Sequence, residues 1–153
     1  MRYTQDEQIL KRILNTIINS TAGLKHALII DETGITIISE SKFHFIDNET
    51  SVEKIGAIGG AVFVAGEEQG HILGYGGICI QITEYKDGMI FSAKVGSGVL
   101  CIATDPYVQI GFIRAIMKKW TPQIAKILYS YLKDDQRSSD QNLKELLSTD
   151  PTY

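Results

Sequence analysis

Between Ile55 and Gly66 the chain reads Ile-Gly-Ala-Ile-Gly-Gly-Ala-Val-Phe-Val-Ala-Gly, twelve residues without a charge. Thr50-x-x-Glu53 just before it has the form of a capping box, which predicts a helix running to about Gly66 or Gly70. On a helical wheel Val52, Ile55, Gly59, Val62 and Phe63 fall on one side, enough to cover a sheet. The other side carries Ala57, Ala61, Val64 and Ala65, where a solvent-facing helix would place Lys and Glu. A helix apolar all round is buried all round. Gly56, Gly59 and Gly60 each weaken it by about 1 kcal/mol relative to alanine, so a close backbone approach is expected in compensation. A lone helix on one face of a single sheet still has an outer side to cover. A second chain on that side is the expectation, ahead of a helix held wholly inside a monomer.

The rest of the pattern frames that helix. Thr4-x-x-Glu7 is another capping box, followed by Ile9, Leu10, Ile13, Leu14, Ile17 and Ile18 on one helical face, with Gly23 expected as a left-handed cap. Leu24–Ile30 and Ile35–Ser39 read as strands around an Asp31-Glu-Thr-Gly34 turn. Ile78–Tyr85, Met89–Val95 and Val99–Thr104 read as three more, separated by Lys86-Asp-Gly88 and Gly96-Ser-Gly98. Asp105-Pro106 is expected to open a last helix carrying Val108, Phe112, Ile113, Ile116, Met117 and Trp120, which Pro122 should kink or restart. The order α-β-β-α-β-β-β-α with hairpin-length turns predicts an α+β fold, helices layered on one antiparallel five-stranded sheet. The 153 residues suit one domain over residues 1–133, with a polar tail at 134–153 and a short helix at Asn142–Leu147.

Composition narrows the function classes. Fifteen Lys and Arg against eighteen Asp and Glu give a net charge of −3, which argues against a nucleic-acid binder working by phosphate neutralisation. No apolar run approaches the roughly 20 residues of a membrane span. Cys79 and Cys101 cannot form a disulfide framework, and the start of the chain is polar and acidic, so a cytoplasmic location is expected.

The search for catalytic chemistry is mostly negative. The chain has no GxxxxGK[ST], HExxH or GxSxG. Gly96-Ser-Gly98 leads into a strand, so it lacks the helix N-terminus that would hold a pyrophosphate. Glu68 and His71 could share a helical face, but metal sites of that kind need several such pairs, and His26 and His44 have no partner spacing. Cys79 and Cys101 have no basic neighbour in sequence and read as small buried hydrophobes. No cofactor, metal or enzymatic activity is expected.

Three stretches together resemble a roadblock domain, the family of the dynein roadblock light chains and of small-GTPase regulators. Ala27–Ser39 is similar to the family's first hairpin, the Gly- and Ala-rich helix to its second helix, and Val99–Arg114, with Asp105, Gly111 and Arg114, to its last strand and final helix start. The likeness covers roughly residues 4 to 120; the extension past Pro122 departs from it. The resemblance implies a profilin-like sandwich of strand order 2-1-5-4-3, with the first and last helices on one face. It also implies a homodimer that joins third strands and second helices, with Gly56, Ala57, Gly60, Ala61, Val64 and Ile78, Cys79, Ile80, Gln81, Ile82 at the seam. Lys54, Ala57, Ala61 and Glu68 would then offer a docking surface to a Ras-like GTPase. A longin-type trafficking domain is the alternative, although such folds usually open with strands. A small-ligand sensor of the same layering is the other, its support the Gly-rich turns Gly74–Gly77 and Gly96–Gly98.

Overall fold

The computed structural model describes residues 4–42 and 49–148. Its elements are α1 (Gln5–Ile18), β1 (Leu24–Ile30), β2 (Thr36–Ser41), α2 (Glu49–Ile72), β3 (Gln81–Tyr85), β4 (Gly88–Val95), β5 (Gly98–Thr104) and α3 (Ile110–Ser148). Every neighbouring strand pair is antiparallel and the order is β2-β1-β5-β4-β3, as expected. β3 is therefore an edge strand.

Local chemistry explains the frame. Thr4 Oγ1 accepts the Glu7 amide at 3.2 Å while Glu7 Oε2 accepts the Thr4 amide at 3.1 Å, closing the capping box of α1. Leu10, Ile13, Leu14, Ile17 and Ile18 are buried. They meet Ala27 and Ile29 of β1, Phe91 and Val95 of β4, Leu100 and Ile102 of β5, and Ile113, Met117, Ile124 and Leu128 of α3 in one core. The opposite sheet face carries a smaller cluster, Leu28, Ile30, Phe63, Val99 and Cys101, roofed by α2. In the β1–β2 turn Asp31 Oδ1 accepts the Thr33 and Ile35 amides, and Gly34 adopts φ +89°, as the Asp-x-x-Gly pattern requires.

Several boundaries differ from expectation, each for a physical reason. Asn19 closes α1, and Gly23 has no positive φ. A Cβ at Gly23 would strike Val108 Cγ1 at 2.5 Å, so its role is close packing. Asp105 Oδ1 accepts the Tyr107 amide in a local turn, which delays α3 to Ile110 and leaves Pro106 outside it. α2 is bounded at Glu49, one residue before the Thr50 expected to cap it, and the Thr50 side chain lies outside the described residues. β3 starts at Gln81 rather than Ile78.

Pro122 does not end α3, which runs unbroken to Ser148 and includes Asn142–Leu147. Pro122 and Lys118, whose carbonyl loses its amide partner, are both exposed residues, while Met117, Ile124 and Leu128 hold both sides of the proline to the core. From Lys133 onward every described residue is exposed. The helix leaves the body of the domain there.

Tyr131 ties α3 to α1 at the point of departure. Burial, a hydrogen bond to the Glu7 carboxylate and the nearby charges of Glu7 and Asp135 push its phenol up to about 12. A raised phenol favours the folded state fully below its unfolded value near 10, and that stability is lost as pH rises toward 12. Because the ring is only half-buried, solvent screening leaves roughly 1 kcal/mol or less. Tyr131→Phe should thus be less stable than the unmodified chain at pH 8, with the gap closing by pH 12. Paired urea titrations at the two pH values measure it.

Candidate interaction surface

The inward face of α2 matches the helical wheel in part: Val52, Gly59 and Phe63 lie over the sheet, but Ile55 and Val62 do not cover it. Gly56, Gly60 and Phe63 are buried, whereas Ile55 and Val62, expected to cover the sheet, are 40% and 48% exposed. The close backbone approach that glycine permits is made within the chain. A Cβ at Gly60 would lie 3.1 Å from Gly34 Cα, and one at Gly56 would collide with the Thr36 hydroxyl. At the other end a Cβ at Gly70 would lie 2.7 Å from the Gly76 carbonyl oxygen. Gly56 and Gly60 are thereby removed from the expected intermolecular seam: their facing surface is already filled by the β1–β2 turn.

The remaining expected residues divide between two sides of α2. Ala57, Ala61 and Val64 are exposed, and Ala57 lies beside Gly34, on the side toward the β1–β2 turn. Lys54 and Glu68 are exposed with them. Ile55, Ile58 and Val62 form the opposite flank, where they line a groove of about 230 Å³ against Thr83, Tyr85 and Ile90 of β3 and β4. Ile58 is 65% exposed and Tyr85 55% exposed. This flank was missed on the wheel; glycines spaced four apart, which mark the true contact ridge, were the available signal.

Of the third-strand residues expected at the seam, Gln81 and Ile82 lie in β3. Ile78 instead packs under α2, and its amide donates to Glu67 Oε2 at 3.2 Å. Ile80 packs toward the main core, and Cys79 is exposed. Cys101 is buried, with its sulfur 3.3 Å from the Ser92 hydroxyl, and burial raises its thiol; both cysteines are free. The result is an open sheet edge beside an uncharged helix flank.

Polar candidates gather no site. His26 Nδ1 lies 2.8 Å from Ser41 Oγ, with its pKa lowered first by burial and then by Lys25, and it serves the β1–β2 pair. Glu68 and His71 are both exposed, and the described residues contain no cluster of three metal-ligating side chains. His44 lies outside the described residues. Gly96 makes the β4–β5 turn with φ +65°. No described helix is long and apolar enough to cross a membrane.

No family model matches the sequence. Two uncharacterized proteins of Methanocaldococcus jannaschii are each 28% identical, one over 118 residues (77% of this chain, 95% of the relative) and one over 107 residues (70% and 90%). Among solved structures, MglB from Myxococcus xanthus superposes with TM-score 0.73 at 19% identity, covering 85% of this chain and 95% of that one. A roadblock/LC7 domain from Streptomyces avermitilis gives TM-score 0.67 at 13% identity, covering 80% and 97%. The fold is the roadblock fold. Within it, α2 and β3 occupy one flank together, so the roadblock layering leaves the uncharged side of α2 and the free strand edge contiguous.

Proposed function

We propose that this chain is a non-enzymatic regulatory platform that pairs with a second copy and docks a Ras-like GTPase. The observation that carries the reading is the α2 flank Ile55, Ile58 and Val62, uncharged and exposed, beside the unpaired edge of β3. An open edge with an apolar border is an aggregation hazard unless it is covered. Continuing the sheet through β3 of a second copy would satisfy the edge and set the two α2 flanks against each other. The seam then comprises Ile55, Ile58, Val62, Gln81, Ile82 and Tyr85.

The outward side of α2, with Lys54, Ala57, Ala61 and Glu68, is left for the GTPase in this arrangement. Small apolar residues between two charges suit a protein partner docked by shape and oriented by charge. Catalysis by an arginine finger is not part of the reading. Arg12 is on α1, Arg114 and Arg137 are on α3, and α2 carries none. Any stimulated hydrolysis would come from repositioning the GTPase's own loops.

The test is binding of a purified Ras-like GTPase from the same organism, loaded with GDP or with a non-hydrolysed GTP analogue. The double variant Lys54→Glu, Glu68→Lys should weaken binding about tenfold or more, while Arg114→Ala should leave any stimulated hydrolysis unchanged. Undiminished binding by the double variant would overturn the surface. Loss of stimulated hydrolysis with intact binding in Arg114→Ala would overturn the mechanism.

A further inference from the structure

On the sheet face opposite α2, a second groove of about 510 Å³ runs between α3 and the start of β3. Ile80, Ala93 and Met117 make its apolar floor, and Lys94, Arg114 and Lys118 rim it. All three cations are exposed, and none forms an ion pair among the described residues. The charge is not confined to the rim. Residues 110–133 of α3 contain Arg114, Lys118, Lys119, Lys126 and Lys133 and no acid, a net +5.

The emergent end of the same helix is its complement. Residues 134–148 carry Asp134, Asp135, Asp140 and Glu145 against Arg137 and Lys144, a net −2. Leu143 and Leu147, 55% and 77% exposed, sit one turn apart there with Asp140 beside them. At 100° per residue, Arg114, Lys118, Tyr129, Leu143 and Leu147 fall along one face of α3. The apolar tip therefore faces the same way as the groove. It cannot reach the groove of its own chain, because 29 residues of continuous helix hold Leu143 about 44 Å from Arg114.

We propose that α3 pairs antiparallel with α3 of a second copy, each seating its Leu143–Leu147 turn in the other's basic groove. One register sets both ends. Lys118 faces the second copy's 143 position and Arg114 its 147 position. In the same alignment Asp140 lies opposite position 121, within one turn of Lys118 of the second copy. The contact is isologous, so every favourable pair occurs twice. It uses neither α2 nor the outer edge of β3. A chain that also formed the α2–β3 seam would assemble beyond a dimer.

The experiment is a cysteine crosslink in the full chain. Lys118→Cys with Leu143→Cys, in a Cys79→Ser background, should give a covalent dimer under mild oxidant. The two positions are 25 helical residues, about 37 Å, apart within one chain, so any bond between them is intermolecular. Lys118→Cys with Lys144→Cys, turned about 100° away, should give several-fold less. The crosslink should persist when Ile58→Asp is added, which separates this contact from the α2–β3 seam. Arg114→Glu with Lys118→Glu should abolish the larger species in sedimentation, and Asp140→Lys added should restore it in part. No crosslink, equal yield at 118–144, or no rescue by Asp140→Lys would each overturn the proposal and point to an acidic helix of a different protein.

Discussion

Ile58→Asp is expected to leave a folded monomer. Ile58 is exposed at the middle of the uncharged α2 flank, facing the groove toward β3, so aspartate there touches water in the free chain and the stability of the monomer should not change. In the proposed dimer the same carboxylate would be buried against a second apolar flank with no cation to receive it. Breaking complementarity in this way costs about 3 kcal/mol, or a dissociation constant raised roughly a hundredfold. Sedimentation equilibrium at micromolar concentration reads it directly, with far-ultraviolet circular dichroism to confirm the fold. Ala61→Glu is the matched control: it is equally polar and lies away from the flank facing β3, so it should remain dimeric. A dimer undisturbed by Ile58→Asp would remove α2 from the seam.

What was legible in the residues and what was not follow one division. Patterns whose partners are near in sequence could be read directly. The Thr4–Glu7 box and the Asp31–Gly34 turn stand as expected, and the strand order, which pairs β1 with the distant β5, stands as the family resemblance implied. Patterns resolved by distant packing could not. The wheel turned Ile55 and Val62 inward because large apolar residues ordinarily face a core. Val52, Gly59 and Phe63 do face the sheet as read, but the contact with the β1–β2 turn went to Gly56 and Gly60, because the Gly34 turn approaches too closely there for any side chain. The same limit applies at Pro122, where a kink or a restart was expected from the local rule and α3 does not restart. The core contacts of Met117, Ile124 and Leu128 on either side outweigh a penalty of about 3 kcal/mol. Ile78 and Ile80 read as strand by composition, yet each is drawn to a different core, and sheet pairing starts only at Gln81.

Two glycine substitutions should act with opposite sign and so separate helix propensity from packing. Gly111 lies in the first turn of α3, and a Cβ there meets no atom within 4 Å. Gly111→Ala should stabilise the chain by about 0.5 kcal/mol, through the freedom removed from the unfolded state. Gly60→Leu also gains intrinsic helix propensity, yet should be strongly destabilising. Its Cβ alone would stand 3.1 Å from Gly34 Cα, and Gly34 is held in a turn at φ +89° by the Asp31 hydrogen bonds. The turn cannot retreat without losing those bonds, so α2 must lift. Phe63, 2% exposed, would then lose its seat against Leu28, Ile30 and Val99. Overpacking of this kind costs about 3 kcal/mol, which for a domain of this size lowers the melting temperature by roughly 10 °C. Thermal unfolding of the two variants beside the unmodified chain measures both signs. If Gly60→Leu melted at or above the unmodified temperature, α2 would not be clamped to the β1–β2 turn, and the orientation that exposes the Ile58 flank would fall with it.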